Sequence, residues 1–173
     1  ILLAKNNKGF QNINQYLSGL LHQKQLKIPS KPPELTEVFV IYPFSKNPGH
    51  VLRPNEFLGV SPEESPLLKF SKSSQPIEKL VVLQTVSFQN KKGFNTHRLL
   101  RAIDNNTLLS KLPVSEQGKE TDRMYSFEEL SKIYRDFPQL IDNTLQVLEQ
   151  CSIEFDFKNT VPKNQKTYTN NED

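Results

Sequence analysis

A nearly continuous apolar segment, Leu80–Phe88, sets the strongest limit on the fold of this chain. The segment reads Leu-Val-Val-Leu-Gln-Thr-Val-Ser-Phe, and its first four residues are all apolar. A strand with one wet face alternates apolar and polar residues, whereas a strand covered on both faces is apolar throughout. The segment therefore predicts a strand that is buried on both faces, as in a parallel sheet.

Other periodic segments predict an α/β fold around this strand. Apolar runs at Ile1–Ala4, Glu37–Tyr42 and Phe57–Val60 predict strands. Apolar residues at helical spacing predict helices at residues 9–22, 93–105 and 138–151, with a short helix after Ser61 and another after Ser126. Both serines are followed three residues later by a glutamate, which is the capping-box pattern. Phe155–Phe157 fits a short edge strand. Strands that alternate with helices indicate the α/β class.

Length, charge and cysteine content exclude several classes of protein. The 173 residues fit one domain, and the net charge of +3 permits a basic patch without requiring one. The lone cysteine, Cys151, excludes an internal disulfide and a cysteine-based zinc site. No segment approaches the ~20 apolar residues of a membrane helix. We therefore expect a cytoplasmic protein without a membrane partner.

The residues alone show no catalytic constellation. None of the three histidines, at positions 22, 50 and 97, is paired at metal-ligand spacing, and a structural role is the expectation for each. Cys151 closes an amphipathic helix and has no base nearby in sequence, which is typical of a buried thiol. The best basic cluster is a candidate for phosphate or DNA contact, although a solvated helix face is the commoner explanation for such a run; its members are Lys91, Lys92, Arg98 and Arg101.

Several motifs, taken in order, resemble a known family. The apolar strand is followed by Asn-Lys-Lys-Gly-Phe-Asn-Thr-His-Arg-Leu-Leu-Arg-Ala-Ile at residues 90–103 and by Leu108-Leu109. Further along stand Ser126–Leu130, Phe137–Leu145 and Glu149–Cys151, and the opening residues 2–12 fit the same pattern. This order resembles the second half of the PHP (polymerase and histidinol phosphatase) domain of the bacterial DNA polymerase III alpha subunit.

The resemblance implies a fold, a domain division and a degenerate metal site. It implies a partial, distorted (β/α) barrel over residues 1–157 with a helical C-terminal segment, and a polar tail or linker to a polymerase core over residues 158–173. Active members of the family bind metal ions, partly through a late Asp-x-His motif. Thr85 and Ser87 occupy those two positions here. Neutral hydroxyls are poor ligands for divalent ions, so we expect no metal, no cofactor and no catalytic residue in this segment.

Three functional hypotheses follow. The leading one is a non-catalytic scaffold segment of a polymerase whose other parts carry out template-directed DNA synthesis, as a nucleotidyltransferase. Its partners would be the remainder of that polymerase chain, DNA through that chain, and a proofreading subunit. The alternatives are a metal-dependent phosphoesterase or proofreading exonuclease, and an unrelated α/β interaction module. A half-barrel also predicts an open strand edge beside Ile1–Ala4.

Overall fold

Four short strands form a single mixed sheet in the computed structural model, which describes residues 1–22, 29, 31–70 and 75–155. The strands are β1 (Leu2–Ala4), β2 (Val38–Pro43), β3 (Glu56–Val60) and β4 (Leu80–Val82), and they lie side by side in that order. β1 is antiparallel to β2, whereas β2, β3 and β4 are mutually parallel. The predicted α/β class is confirmed. The sheet is not closed in the part of the chain that is described.

The four α-helices of the described residues fall close to the predicted positions. They are α1 (Asn7–His22), α2 (Lys91–Asp104), α3 (Phe127–Ile133) and α4 (Gln139–Glu149). The Ser126 capping box is formed at the start of α3, because Ser126 Oγ accepts from the Glu129 N–H at 3.2 Å and the Glu129 carboxylate accepts from the Ser126 N–H at 2.8 Å. The short helix predicted after Ser61 is a 3-10 helix, Ser65–Lys69.

The strand predicted over Leu80–Phe88 is only three residues long. Pairing ends where Val60 meets Val82, because β3 itself ends there. Beyond this point Thr85 and Ser87 are exposed, and Phe88 forms an isolated bridge with Arg123 outside the sheet. The prediction that the whole segment is one buried strand is therefore wrong, although Leu80 and Val81 are buried on opposite faces as expected.

Helix α4 covers the outer edge of β4. Thr144 Oγ1 accepts a hydrogen bond from the Val82 N–H at 2.8 Å, and Asn143 Nδ2 donates to the carbonyls of Ile77 and Leu80, each at 2.9 Å. Two side chains thus take the place of a neighbouring strand, which protects an edge that would otherwise be free to pair. The apolar side chains of this edge strand are explained separately, because Leu80 and Val81 belong to core clusters on opposite faces of the sheet.

β1 forms the other edge of the sheet, where the half-barrel hypothesis predicts an open edge. Hydrogen bonds of 2.9 Å join Ile41 N to Ile1 O and Lys5 N to Glu37 O. The intervening residues Leu2 and Ala4 consequently direct their main-chain groups away from β2. Among the described strands β1 pairs with β2 alone, so its outer edge has no strand partner, as the hypothesis predicts, although Ala4 is only 6% exposed.

Apolar side chains form a core on each face of the sheet. The larger cluster joins one face to α3 and the start of α4, and includes Val40, Leu58, Val60, Tyr134 and Leu140. The smaller cluster on the opposite face joins Phe39 and Val81 to Val147 of α4. The Phe155–Phe157 strand lies partly outside the described residues, and the predicted tail at 158–173 lies wholly outside them.

Candidate functional site

The carboxyl ends of the parallel strands meet a small polar cavity of about 70 Å³. Ligand sites in open α/β sheets lie at this end of the strands. The residues that follow β3 and β4 form two walls, and the segment Lys119–Asp122 forms the third. The lining side chains include Ser61, Glu63, Gln84, Thr85, Lys119, Thr121 and Asp122. We call this cavity the strand-end pocket.

Contacts within the chain already occupy the carboxylates of the strand-end pocket. Glu63 accepts hydrogen bonds from the Thr121 hydroxyl and from Lys119 Nζ, the latter at 3.2 Å. The hydrogen bond from Thr121, followed by that from Lys119, holds the pKa of Glu63 below its ordinary value. Asp122 Oδ2 accepts from the main-chain N–H of Lys119 at 3.1 Å. The pocket is thus held together by its own side chains.

The two positions at which the resemblance places metal ligands lie at or near this pocket. Thr85 lines it, whereas the Ser87 side chain is exposed and its main-chain N–H donates to Asp122 O at 2.8 Å. Among the residues that the structure describes, no three histidine, cysteine, aspartate or glutamate side chains lie close enough to hold a metal ion. The sequence analysis did not identify the third wall of this pocket, because Lys119 and Thr121 are distant along the chain from Thr85.

A second polar cluster, at the amino end of β3, escaped the sequence analysis. The fully buried carboxylate of Glu56 accepts from Arg53 Nε at 2.9 Å, from the Arg53 N–H at 2.8 Å and from the Tyr42 hydroxyl at 3.0 Å. His50 Nε2 lies 3.3 Å from the same carboxylate. An arginine three residues before a glutamate was the available signal, but such a pair is common on protein surfaces.

This Glu56 cluster is structural in its chemistry. Burial by itself would raise the pKa of Glu56, but the hydrogen bonds from Arg53, Tyr42 and His50 outweigh burial and lower the pKa to about 2. Burial and the neighbouring carboxylate raise the pKa of Tyr42 to about 12. A carboxylate held ionised by three neighbours is a poor general base, since its affinity for a proton is low. A structural role for His50, beside this carboxylate, stays a prediction.

Helix α2 contacts its own chain through its two arginines. Arg98 Nε donates to Gln117 Oε1 at 2.7 Å, and Arg101 pairs with Asp104 at 2.6 Å and with Glu116. The helix therefore directs its arginines toward residues 112–118 of its own chain. Along the same helix Phe94 and His97 are half-buried, whereas Leu99, Leu100 and Ile103 are 52%, 60% and 66% exposed.

The basic cluster proposed for phosphate or DNA contact is partly occupied by acidic neighbours. Besides the arginine pairs, Lys91 Nζ lies 3.4 Å from the Glu120 carboxylate, while Lys92 is exposed. Phosphate contact at these four residues stays a prediction.

The remaining candidates lie on or beside helices. Cys151 is half-buried and its thiol donates to Val147 O at 3.2 Å; burial raises the pKa of this thiol. His97 is half-buried, and its Nε2 accepts the main-chain N–H of Gly118 at 2.9 Å. His22 is exposed at the end of α1.

Comparisons with protein families and with curated proteins return no match. No family model matches the chain, and no curated protein is significantly similar to it. Within the described residues, none of the helices has the length and apolar character needed to cross a bilayer.

Proposed function

We propose that this chain is a non-catalytic, PHP-like scaffold segment of a bacterial DNA polymerase III alpha subunit. In this proposal the sheet and its helices brace a polymerase that carries its catalytic carboxylates elsewhere. The fold proposed for the segment is part of a distorted (β/α) barrel. The proposed setting is cytoplasmic, and the proposed partners are the rest of the polymerase chain and, through it, DNA and a proofreading subunit.

The strand-end pocket provides the observation that carries the proposal. In the sheet, this is the end at which α/β enzymes place their chemistry. Here Glu63 is bound by Lys119 and Thr121, and the positions of the family's Asp-x-His motif hold Thr85 and Ser87. A lysine ammonium beside the carboxylate competes directly with a divalent cation for it. These features favour a scaffold over a metal-dependent phosphoesterase.

The first test measures metal in the intact polymerase that the proposal implies. The scaffold hypothesis predicts no stoichiometric zinc, manganese or iron in this segment, and no manganese-dependent hydrolysis of a generic phosphodiester by it. Stoichiometric metal that is lost on replacing Glu63 and Asp122 by the corresponding amides would overturn the proposal and establish the phosphoesterase alternative.

The second test separates a scaffold from a catalytic segment within the same polymerase. Thr85→Ala and Ser87→Ala change exposed side chains outside the core and should leave nucleotide incorporation at the wild-type rate. Tyr134→Ala removes a fully buried ring whose hydroxyl donates to Val60 O at 2.7 Å, and it should lower thermal stability and incorporation together. The Tyr134→Ala variant can also be assayed at a temperature at which this segment has unfolded. If nucleotide incorporation continues there, the polymerase does not need the segment, and the independent interaction module is favoured.

A further inference from the structure

An apolar stripe runs along the outward side of α2. Successive residues of a helix are about 100° apart, and five residues fall within one arc of about 100°: Lys92, Thr96, Leu99, Leu100 and Ile103. All five are exposed, the three large apolar side chains by 52%, 60% and 66%. A surface helix ordinarily turns an apolar arc of this width toward a core. We call these five residues the α2 stripe.

Contacts within the chain hold the opposite side of α2, so the stripe cannot turn inward. Arg98 Nε donates to Gln117 Oε1 at 2.7 Å, and Arg101 Nε donates to the Glu116 carbonyl at 3.1 Å. The helix is therefore fixed with leucine and isoleucine in water. A contiguous exposed apolar surface of this kind marks an interaction site.

The α2 stripe is complementary in shape to a second copy of itself in antiparallel orientation. When two such helices cross at Leu99 and Leu100, these leucines meet their counterparts in the other copy. Residues 96 and 103 are equally far from this crossing, so each Ile103 comes opposite the smaller Thr96 of the other helix. The Thr96 hydroxyl donates to the Lys92 carbonyl at 3.0 Å, so an apolar side chain can cover Thr96 without leaving its hydroxyl unpaired.

The charges at the two ends of α2 also favour the antiparallel orientation. Lys92, at the amino end, makes no ion pair with any residue that the structure describes. Antiparallel pairing places it beside the carboxyl end of the other helix, which carries a partial negative charge. Asp104, whose side chain is 67% exposed, adds to the negative charge of that end. A parallel pair would instead bring the two Lys92 ammonium groups together.

We propose that the α2 stripe joins two copies of this chain in a two-fold symmetric dimer, through an antiparallel pair of α2 helices. This role is additional to the scaffold role of the segment. The same surface of both copies forms the contact, as in isologous dimers. Five side chains from each copy make an interface near or below the lower limit of about 1,200 Å² for specific interfaces. We therefore expect a weak dimer, with a dissociation constant on the order of 10–100 μM.

Sedimentation velocity of the full chain tests this inference over a concentration series from about 1 to about 500 μM. The wild type should change from monomer to dimer across the series. The double variant Leu100→Gln/Ile103→Gln should raise the dissociation constant at least about tenfold, because it removes apolar surface from the contact. Leu148→Gln is the matched control: it changes a leucine of α4 that is 52% exposed, and it should leave dimerisation unchanged. All of these side chains are exposed, so both proteins should keep the wild-type unfolding temperature.

Oxidative cross-linking tests the orientation of the pair. Thr96→Cys protein mixed with Ile103→Cys protein should form a disulfide-linked dimer, because the two positions face each other only in an antiparallel pair. Each variant alone should cross-link no faster than the wild type, which controls for oxidation of Cys151.

Two results would overturn the inference. One is a wild-type chain that stays monomeric at every concentration, which would leave the α2 stripe to another occupant, such as the rest of the polymerase chain. The other is a dimer that Leu148→Gln weakens as much as the double variant does, or that Thr96→Cys alone cross-links faster than the mixture. Neither result bears on the scaffold proposal, which the metal and incorporation measurements test.

Discussion

Gly9 lies where α1 passes over the turn that precedes β2, and no side chain fits there. A Cβ at this position would lie 1.9 Å from the main-chain oxygen of Glu37. Glu37 itself has a positive φ of 58°. Its carbonyl also accepts a hydrogen bond from Lys5 N at 2.9 Å, so the Glu37 oxygen cannot move away from residue 9 without losing this bond. A glycine at residue 9 is therefore required by close approach between two main-chain segments.

We expect Gly9→Ala to lower the free energy of unfolding by about 1–3 kcal/mol or more, the range typical of overpacking. Gly19→Ala in the same helix is the matched control, because nothing lies within 4 Å of its Cβ position. That control should raise stability by about 1 kcal/mol, since alanine favours a helix over glycine. Chemical denaturation of both variants checks the prediction, and equal effects of the two substitutions would contradict it.

Glu56 makes stability depend on acid pH. Its pKa is about 2 in the folded protein, below its ordinary value near 4.5. A carboxyl whose pKa is lowered by folding contributes stability above the unfolded pKa and loses it as the pH falls through the folded pKa. The contribution of Glu56 is therefore complete above about pH 4.5 and disappears toward about pH 2.

We expect Glu56→Gln to be less stable than wild type at neutral pH, because the variant leaves Arg53 without its buried partner. The difference between the two proteins should shrink as the pH falls from about 4.5 toward 2. Urea unfolding at a series of pH values measures this difference. Glu34→Gln, at an exposed glutamate, is the control, and its stability should depend on pH as that of the wild type does. If the stability difference between wild type and Glu56→Gln does not change with pH, the Glu56 carboxylate is not held ionised by its neighbours.

At the scale of elements, the edge of β4 depends on two side chains of α4. Thr144 supplies the acceptor for the Val82 N–H, and its hydroxyl donates to Leu140 O at 2.5 Å. The valine isostere keeps the shape of the side chain but removes the acceptor. Serine keeps the hydroxyl and loses only a methyl group.

We expect Thr144→Val to cost about 1–3 kcal/mol of stability, because it leaves a strand N–H without a partner. Thr144→Ser should cost less and should keep the Val82 amide protected from hydrogen exchange. Thermal unfolding and exchange at Val82 check the pair of variants. Faster exchange at Val82 in the serine variant than in the valine variant would contradict the proposed role of the hydroxyl.

The same two elements show how far sequence patterns predict this structure. The apolar residues Leu80 and Val81 correctly predict burial on both faces of the sheet. They do not show that β4 has a strand on one edge and helix α4 on the other. For α2, the apolar spacing shows which residues share a face but not which face contacts the rest of the chain. Its arginines form specific contacts with Glu116 and Gln117, and these partners lie 15 and 19 residues away, beyond the reach of a local pattern.

The candidate site was predictable only in part for a related reason. Thr85 follows an apolar strand, and the carboxyl ends of parallel strands share one edge, so its place near a pocket follows from the pattern. Glu63 follows Ser61, where the sequence predicts a short helix. Its contacts with Lys119 and Thr121 join segments that are distant along the chain, and a local pattern cannot predict such contacts. The Glu56 cluster was missed because burial of a charged residue contradicts the usual preference.

At the scale of the whole molecule, burial is distributed unevenly. The sheet, α3 and the start of α4 share the larger core, whereas Ala102 is the only residue of α2 that is fully buried. In the described residues, the α2 region joins the sheet through the Phe88 bridge to Arg123, the Asp122 main chain and the pair of contacts at Glu63. Regions with little buried apolar surface open locally at lower free energy than the core.

We therefore expect α2 and residues 108–122 to open as a unit before the sheet unfolds. Native-state hydrogen exchange at increasing denaturant should give the amides of α2 a smaller free energy of opening than those of β2 and β3. Arg101→Gln should lower this value for α2 and residues 108–122 together, because Arg101 joins the helix to Glu116, whereas Thr144→Val should lower the value for the sheet. The opposite outcome is one common free energy of opening for all of these amides, with the same response to both substitutions. The described residues would then unfold as a single cooperative unit, and α2 would be as stable as the core.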